Sequence, residues 1–309
     1  MFNIAIFGSN SQISKDLIPK LLNNENIYLN LFSTNSELLL EWLKLKKIKK
    51  KIKILNYDDF FAMSNYDVII NFIGCSDPKY TQILSEEKCI SFKKFDNLIL
   101  EYLKKNIKCK YIFISSGVAG NLSIKNTFLS DKSFKLEFND NENNSVYSKM
   151  KYDIEKVHRC LNHLPIVDLR VFSYVGQNVN LDSKLFLSQI IKSIKSSKVL
   201  TVSPDDFVRD YIHEDDFFSL ILQIIKSKPF NGVLDSYSRK PVEKLKLLKS
   251  LKLNFNLKYK IEKVKSTSDQ HKKYYTSNNK SAAGIGYKPK FGSEEAILNI
   301  IDLIQNEQN

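Results

Sequence analysis

The sequence predicts an α/β protein, a doubly wound parallel sheet followed by a smaller α/β C-terminal domain. Strand and helix periods alternate from residue 3 to about residue 172. Two stretches, Asp67–Ile73 (DVIINFI) and Lys110–Ser115 (KYIFIS), carry apolar residues on both faces in an almost continuous run, as strands covered on both faces do. The alternation then breaks after residue 176. Alternating β and α units with short connections require parallel strands joined by right-handed crossovers.

In order, Asn3–Phe7 reads as a strand and Ile13–Leu22 as a helix with apolar residues at helical spacing. Ile27–Phe32 and Ile52–Leu55 are strands on either side of helical Glu37–Leu45. Asp67–Ile73 is the fourth strand, amphipathic Phe92–Lys105 a helix, and Lys110–Ser115 the fifth strand. Residues 121–146 are polar and contain NDNENNS, so they read as a loop or lid. Tyr147–Asn162 is helical and Ile166–Phe172 is the sixth strand. Beyond residue 176 come helix Lys184–Lys195, strand Val199–Val202, helices Glu214–Lys226 and Val242–Leu251, a strand near Lys258–Val264, and helix Ser293–Asn306. The boundary is set at residue 176, with 1–176 as the first domain and 177–309 as the second, some of whose segments are free to return to the first sheet.

The 309 residues are enough for two domains of about 100–200 residues each. With 43% hydrophobic and 26% charged residues, the chain is too apolar for disorder. Its longest apolar runs, Asp67–Gly74 and Phe217–Ile225, fall short of the roughly 18 residues a membrane span needs. Met1 passes straight into an apolar strand without the pattern of a secretory leader. Cys75, Cys89, Cys109 and Cys160 form no CxxC pair, and His158, His163, His213 and His271 are dispersed. No metal centre or disulfide framework is expected, and a cytoplasmic protein with reduced thiols is.

The formal charge of +13 attracts phosphates, whether of nucleic acid, an anionic surface or a small molecule. Yet only Arg159, Arg170, Arg209 and Arg239 among the 47 cations are arginine, the residue that reads bases and phosphates bidentately. Basicity spread over solvated lysines, densest at Lys44–Lys53, carries no reading motif, so nucleic acid is disfavoured as a partner.

The first strand–helix turn reads Gly8-Ser9-Asn10-Ser11-Gln12-Ile13-Ser14. Small residues three apart let the backbone approach a pyrophosphate and turn a helix N-terminus towards it. Gly8 holds the first such position; Ser11 and Ser14 hold the others, each with a hydroxyl to offer phosphate. After the second strand, Ser33-Thr34-Asn35 carries no acid to bind both ribose hydroxyls, so a 2′-phosphate meets no repulsion and NADP is preferred to NAD. Asp58 or Asp59 is a candidate for the adenine amino group. Gly74 ends the fourth strand, where a missing side chain admits a cofactor, and Phe72 and Ile73 line the same edge.

Tyr147 and Lys151 lie four apart, on one face of a helix. An ammonium beside a phenol favours the phenolate, so the pair can exchange a proton near neutral pH. Ser115 and Ser116 end the fifth strand, where a hydroxyl can share the reacting oxygen.

The segments NIAIFGSNSQIS, DVIINFIG, YIFISSGVAG, VYSKMKYDIEKV, LPIVDLRVFSYVGQ, VRDYIHEDD and GIGYKPKF, in that order, resemble the extended short-chain dehydrogenase/reductases of the NAD-dependent epimerase/dehydratase family. The resemblance spans roughly residues 3–303. It implies a Rossmann NAD(P)-binding domain and a small substrate domain, acting on a nucleotide-diphosphate sugar. Tyr147 is the implied acid/base, and Lys151 the residue that binds the nicotinamide ribose and tunes the phenol. Ser116, aligned from the strand, or Ser115, aligned from Gly120, is the implied catalytic hydroxyl. Arg209 is implied at the substrate diphosphate, with Lys184 a candidate for the same phosphates. Ser91 and Ser173 stand where the family often has asparagines, on the cofactor and substrate sides. A homodimer through the helices Phe92–Lys105 and Tyr147–Asn162 is a further family expectation.

Gly117-Val118 follow Ser116, so the acid and base of a 4,6-dehydratase are missing. A keto-sugar reductase using NADPH remains as the main expectation, with a 4-epimerase holding NAD as the alternative. A non-catalytic NADP sensor and an RNA-binding relative are further alternatives, against which the complete Ser/Tyr/Lys set argues.

Overall fold

Along β1 (Phe2–Phe7), side chains alternate between two cores: Ile4 and Ile6 enter one, Ala5 and Phe7 the other. The same alternation in β4 (Val68–Asn71) sends Val68 and Ile70 one way and Ile69 the other, so both faces of the sheet are covered. The computed structural model describes residues 2–49, 51–61, 65–74, 86–123, 146–263 and 273–306.

After β1 come α1 (Gln12–Leu22), β2 (Ile27–Phe32), α2 (Ser36–Leu45) and β3 (Ile52–Leu55). β4 leads to α3 (Glu86–Lys105), β5 (Lys110–Ser116), α4 (Gly117–Ser123), α5 (Val146–Cys160) and β6 (Ile166–Val171). The sheet has seven parallel strands in the order β11-β6-β5-β4-β1-β2-β3, a doubly wound Rossmann arrangement as expected. Helices α1 and α2 cover one face, and α3 and α5 the other.

The smaller lobe contributes β7 (Ser173–Val175), α6 (Phe186–Ser196), β8 (Leu200–Val202), β9 (Val208–Arg209) and β10 (Tyr211–His213). Then α7 (Glu214–Lys226) and β11 (Gly232–Asp235) return to the main body: α7 buries Phe217, Leu220, Ile221 and Ile224 in the α1-side core. β11 pairs with β6 from Gly232↔Val167 to Asp235↔Arg170. The chain closes with β12 (Val242–Glu243), α8 (Lys244–Phe255), β13 (Tyr259–Ile261), β14 (Tyr274–Tyr275) and α9 (Ser293–Asn306). Phe186, Ile190, Leu248, Leu251, Ile297 and Ile300 form this lobe's own core.

Several boundaries differ from expectation. Val242 and Glu243 pair with β9 before the helix begins, because Val242 is drawn into the lobe's core. The expected loop 121–146 starts within α4, and residues 124–145 lie outside the described residues. β11 was not expected as a strand; only Val233 and Leu234 carry an apolar signal, between a glycine and an aspartate.

Candidate active site

The strand order reverses between β1 and β4, the place where a doubly wound sheet forms a crevice beyond the strands' C-terminal ends. Gly8, at the end of β1, has a left-handed φ of +74°, and a Cβ on it would lie 3.1 Å from both Ile73 N and Phe72 C. Only glycine suits that backbone and that approach. α1 then starts at its N-cap Ser11, whose Oγ accepts from Ser14 N–H at 3.2 Å. The hydroxyls at the two fingerprint positions turn inward instead of towards a ligand. Ser14 is fully buried, and its Oγ lies 3.1 Å from Gly8 O and 2.9 Å from Ser11 Oγ. These bonds close the turn, and Gln12 and Ile13 are left half-buried at the helix N-terminus, where backbone N–H groups lack helical acceptors.

Asn10 reaches across to the end of β2, donating from Nδ2 to Ser33 Oγ (2.6 Å) and Asn35 O (2.8 Å). A carbonyl only accepts, so the atom facing Asn35 O must be the amide nitrogen. Asn10 Oδ1 is therefore directed away; it is buried and has no partner among the described residues. Ser33 is buried, its hydroxyl committed to Asn10 and Asn35, whereas Thr34 is exposed.

Tyr57 was not singled out from sequence. Its Oη accepts from Gly8 N–H (3.1 Å) and donates to Phe32 O (3.2 Å), pinning β1 to β2 beside the turn. Its ring lies 4.4 Å from Phe95 and 5.1 Å from Phe7. Burial pushes the phenol up to about 12, which keeps it a neutral donor. Asp58 and Asp59 follow it, both exposed. A second unforeseen link is Asp16, whose carboxylate accepts from Tyr174 Oη (2.8 Å) and Asn178 N–H (3.0 Å), tying α1 to the segment after β7.

On α5, Tyr147, Lys151 and Glu155 recur every fourth residue on the face that meets the sheet. The Lys151 side chain is buried, and its Nζ donates to Ile114 O at 2.9 Å and lies 4.3 Å from the Phe113 ring centre. It is 5.9 Å from the Tyr147 ring centre, and a Cβ on Gly74 would sit 3.0 Å from it. The ammonium thus stands at the end of β4, beside the crevice, with the half-buried Tyr147 one helical turn away.

The two candidate serines differ sharply. Ser115 is buried and donates to Glu155 Oε1 at 2.5 Å, within the Glu155–Arg170 ion pair. Ser116 Oγ is 3.3 Å from Tyr275 Oη. Arg209 lies behind Tyr275, its guanidinium carbon 5.8 Å from the Tyr275 ring centre and 4.3 Å from that of Phe207. Nearby acids are engaged elsewhere: Asp210 by Ser238 N–H, Asp215 by Lys20, and Asp216 by the N–H groups of Lys290 and Phe291. Ser173 is half-buried in β7, in register with Tyr211. Ser91 and Lys184 are exposed, and with Asp58 no side-chain hydrogen bond among the described residues joins them to this cluster.

A buried relay supports the crevice from below. Ile73 N–H donates to Asn71 Oδ1, Asn71 Nδ2 to Tyr111 Oη, and Tyr111 Oη to Asp96. His158 then bridges Asp96 (3.1 Å) and Asp168 (2.6 Å). Burial alone would lower the imidazole's pKa, but Asp168 and Asp96 outweigh it and raise it to about 10. The folded protein therefore holds this proton more tightly than an unfolded chain, whose histidine titrates near 6.5. The resulting stabilisation is complete below about pH 6.5 and is lost as pH rises through about 10. Urea midpoints should fall over that interval, and His158→Gln should remove this part of the slope; a parallel decline in the variant would contradict it.

Two features fit a dinucleotide here: the cradle at Gly8, which a Cβ would fill, and the orphaned acceptor of Asn10 at the end of β2. The sequence model of the NAD dependent epimerase/dehydratase family matches residues 4–233. No curated protein matches the sequence. Among solved structures, UDP-glucuronic acid 4-epimerase from Bacillus cereus, in complex with UDP-glucuronic acid and NAD, is similar with a TM-score of 0.78 and 19% identity, over 99% of this chain and 100% of that one. UDP-glucose 4-epimerase from Thermotoga maritima has a TM-score of 0.78 and 15% identity, over the whole of both chains. UDP-N-acetylglucosamine 4-epimerase from Methanobrevibacter ruminantium has a TM-score of 0.76 and 17% identity, over 100% of this chain and 99% of that one. At these identities the likeness is one of fold.

Proposed function

Because the chain belongs to the NAD dependent epimerase/dehydratase family, we propose that it is a nucleotide-sugar 4-epimerase that works with NAD. The observation that supports this reading is Lys151 standing against Gly74 and 5.9 Å from the Tyr147 ring centre, with Ser116 ending the neighbouring strand β5. Tyr147 Oη takes the proton from the sugar's 4-hydroxyl and returns it; Ser116 donates to the same oxygen. Lys151 holds a positive charge near the phenol and favours its ionised form. NAD, when bound, supplies an acceptor that takes a hydride from C4 and gives it back. Ser115 is assigned to holding Glu155 instead, since its hydroxyl already donates there. The lobe 177–309, apart from the returning residues 214–235, holds the sugar nucleotide, with Arg209 on its diphosphate.

The reductase expectation rested on a cofactor carrying a 2′-phosphate. Asn35 O is taken by Asn10 Nδ2 and Ser33 Oγ, and the acceptor left over beside the turn is Asn10 Oδ1, buried and without a partner among the described residues. A ribose hydroxyl has a proton for such an acceptor; a phosphate dianion has none. That favours NAD, and the similar solved 4-epimerases point the same way. Against a nucleic-acid role, Arg159, Arg170 and Arg239 are committed to Asp168, Glu155 and Glu295, and Arg209 lies in the site. Exposed Ile90, Val146 and Val157 on α3 and α5 suit self-association through those helices.

The dinucleotide released by denaturing the purified protein tests the cofactor: NAD is expected, and NADP would overturn the preference. Arg209→Ala tests the substrate class. It should weaken UDP binding by about 2–4 kcal/mol, because a planar guanidinium can hold a diphosphate through two charge-assisted bonds. Calorimetry with UDP measures this, and unchanged affinity would remove Arg209 from the diphosphate.

A further inference from the structure

We propose that Tyr275 is a positioning residue for the Ser116 hydroxyl, linking the diphosphate side of the site to the end of β5. This rests on the reading above, in which Ser116 donates to the reacting oxygen.

β14 pairs with β9 in parallel register, Tyr275↔Arg209, so two residues 66 positions apart stand side by side in one three-stranded sheet, β12-β9-β14. Paired residues of neighbouring strands point to the same face, which puts the phenol and the guanidinium together. The Tyr275 ring also leans on Phe172, centres 5.1 Å apart. Phe172 is itself seated on Gly117, where a Cβ would come within 2.6 Å of its ring. The phenol is thus held between Arg209 and Phe172, with its oxygen 3.3 Å from Ser116 Oγ.

A serine hydroxyl has one proton and rotates to suit its surroundings. The Val118 N–H is shared between Tyr275 Oη and Ser116 Oγ (3.5 Å), so both oxygens accept from it and the Tyr275 proton is left for Ser116. Burial raises the pKa of the phenol, so that proton is retained at neutral pH. With Ser116 Oγ accepting from Tyr275, its own proton is turned out towards a sugar oxygen. The Arg209 charge beside the ring polarises the donor, and successive hydrogen bonds strengthen one another. Occupation of the diphosphate position and readiness of the catalytic hydroxyl are in this way coupled through one side chain.

The test is a double-mutant cycle on the NAD-loaded protein with Ser116→Ala, Tyr275→Phe and the combination, using whichever of UDP-glucuronic acid, UDP-glucose and UDP-N-acetylglucosamine the wild type converts fastest. Tyr275→Phe should lower kcat by about three- to tenfold, the value of one hydrogen bond, with KM within twofold. The double variant should be no slower than Ser116→Ala, because Tyr275 acts only through that serine. Losses that multiply, an unchanged kcat, or a Tyr275→Phe effect confined to KM or to UDP affinity would overturn the proposal. Full activity of Ser116→Ala would instead overturn the reading of Ser116 on which it rests.

Discussion

Tyr147→Phe is expected to cut turnover by about 10²–10⁴-fold, the usual contribution of a positioned acid/base. The change removes one oxygen and leaves the ring, which packs at the edge of the α5-side core. Lys151 keeps its bond to Ile114 O, and Gly8, Asn10 and Gly74 are untouched, so affinity for NAD should hold. The loss should therefore fall on kcat, with cofactor titration unchanged. A variant with wild-type kcat would remove Tyr147 from the chemistry. A variant that loses NAD as well would show the phenol to be part of the cradle.

The second large effect is structural. Arg170 donates to both oxygens of Glu155 at 2.6–3.1 Å, and the carboxylate is buried. Burial raises the Glu155 pKa, and Arg170 pulls it back. Arg170→Met would leave that buried carboxylate with the Ser115 hydroxyl as its donor and no cation beside it, so it must take up a proton or draw in water. Removing one partner of a buried pair costs about 3–5 kcal/mol, whereas replacing both by apolar groups is often neutral. Urea unfolding of Arg170→Met should show that loss with little change in slope, and Arg170→Met/Glu155→Leu should recover most of it. A single variant within about 1 kcal/mol of wild type, the scale of an exposed pair, would contradict the assignment. The pair matters for function because Glu155 lies two turns below Tyr147 and fixes the helix that carries it.

The main sheet was legible because strands covered on both faces need apolar residues at nearly every position. Asp67–Ile73 and Lys110–Ser115 announced themselves in that way. The Tyr147/Lys151 pair was legible because a helix repeats every 3.6 residues. What was missed depends on partners distant in the chain. β11 has two apolar residues and is a strand because β6 offers it an edge. The two-residue strands β9, β12 and β14 have no periodicity to detect, and Tyr275 stands in the lysine-rich KKYYTS with nothing local to mark it. The choice between Ser115 and Ser116 was open because adjacent strand residues face opposite sides, and sequence does not say which side α5 covers. At the dinucleotide turn, the sequence does not show how Ser11 and Ser14 bond within the turn itself. A serine hydroxyl beside a backbone carbonyl bonds to it, and Ser14 donates to Gly8 O, which also accepts from Ser11 N–H.

The measurement that bears most directly on the account is proton NMR of purified protein incubated separately with UDP-glucuronic acid, UDP-glucose and UDP-N-acetylglucosamine, with NAD as the only added cofactor. The account predicts that at least one is converted to its C4 epimer, that the same ratio is reached from either epimer, and that no net NADH accumulates. Conversion that instead consumes NADPH in proportion to product, or no conversion of any of the three, would contradict it.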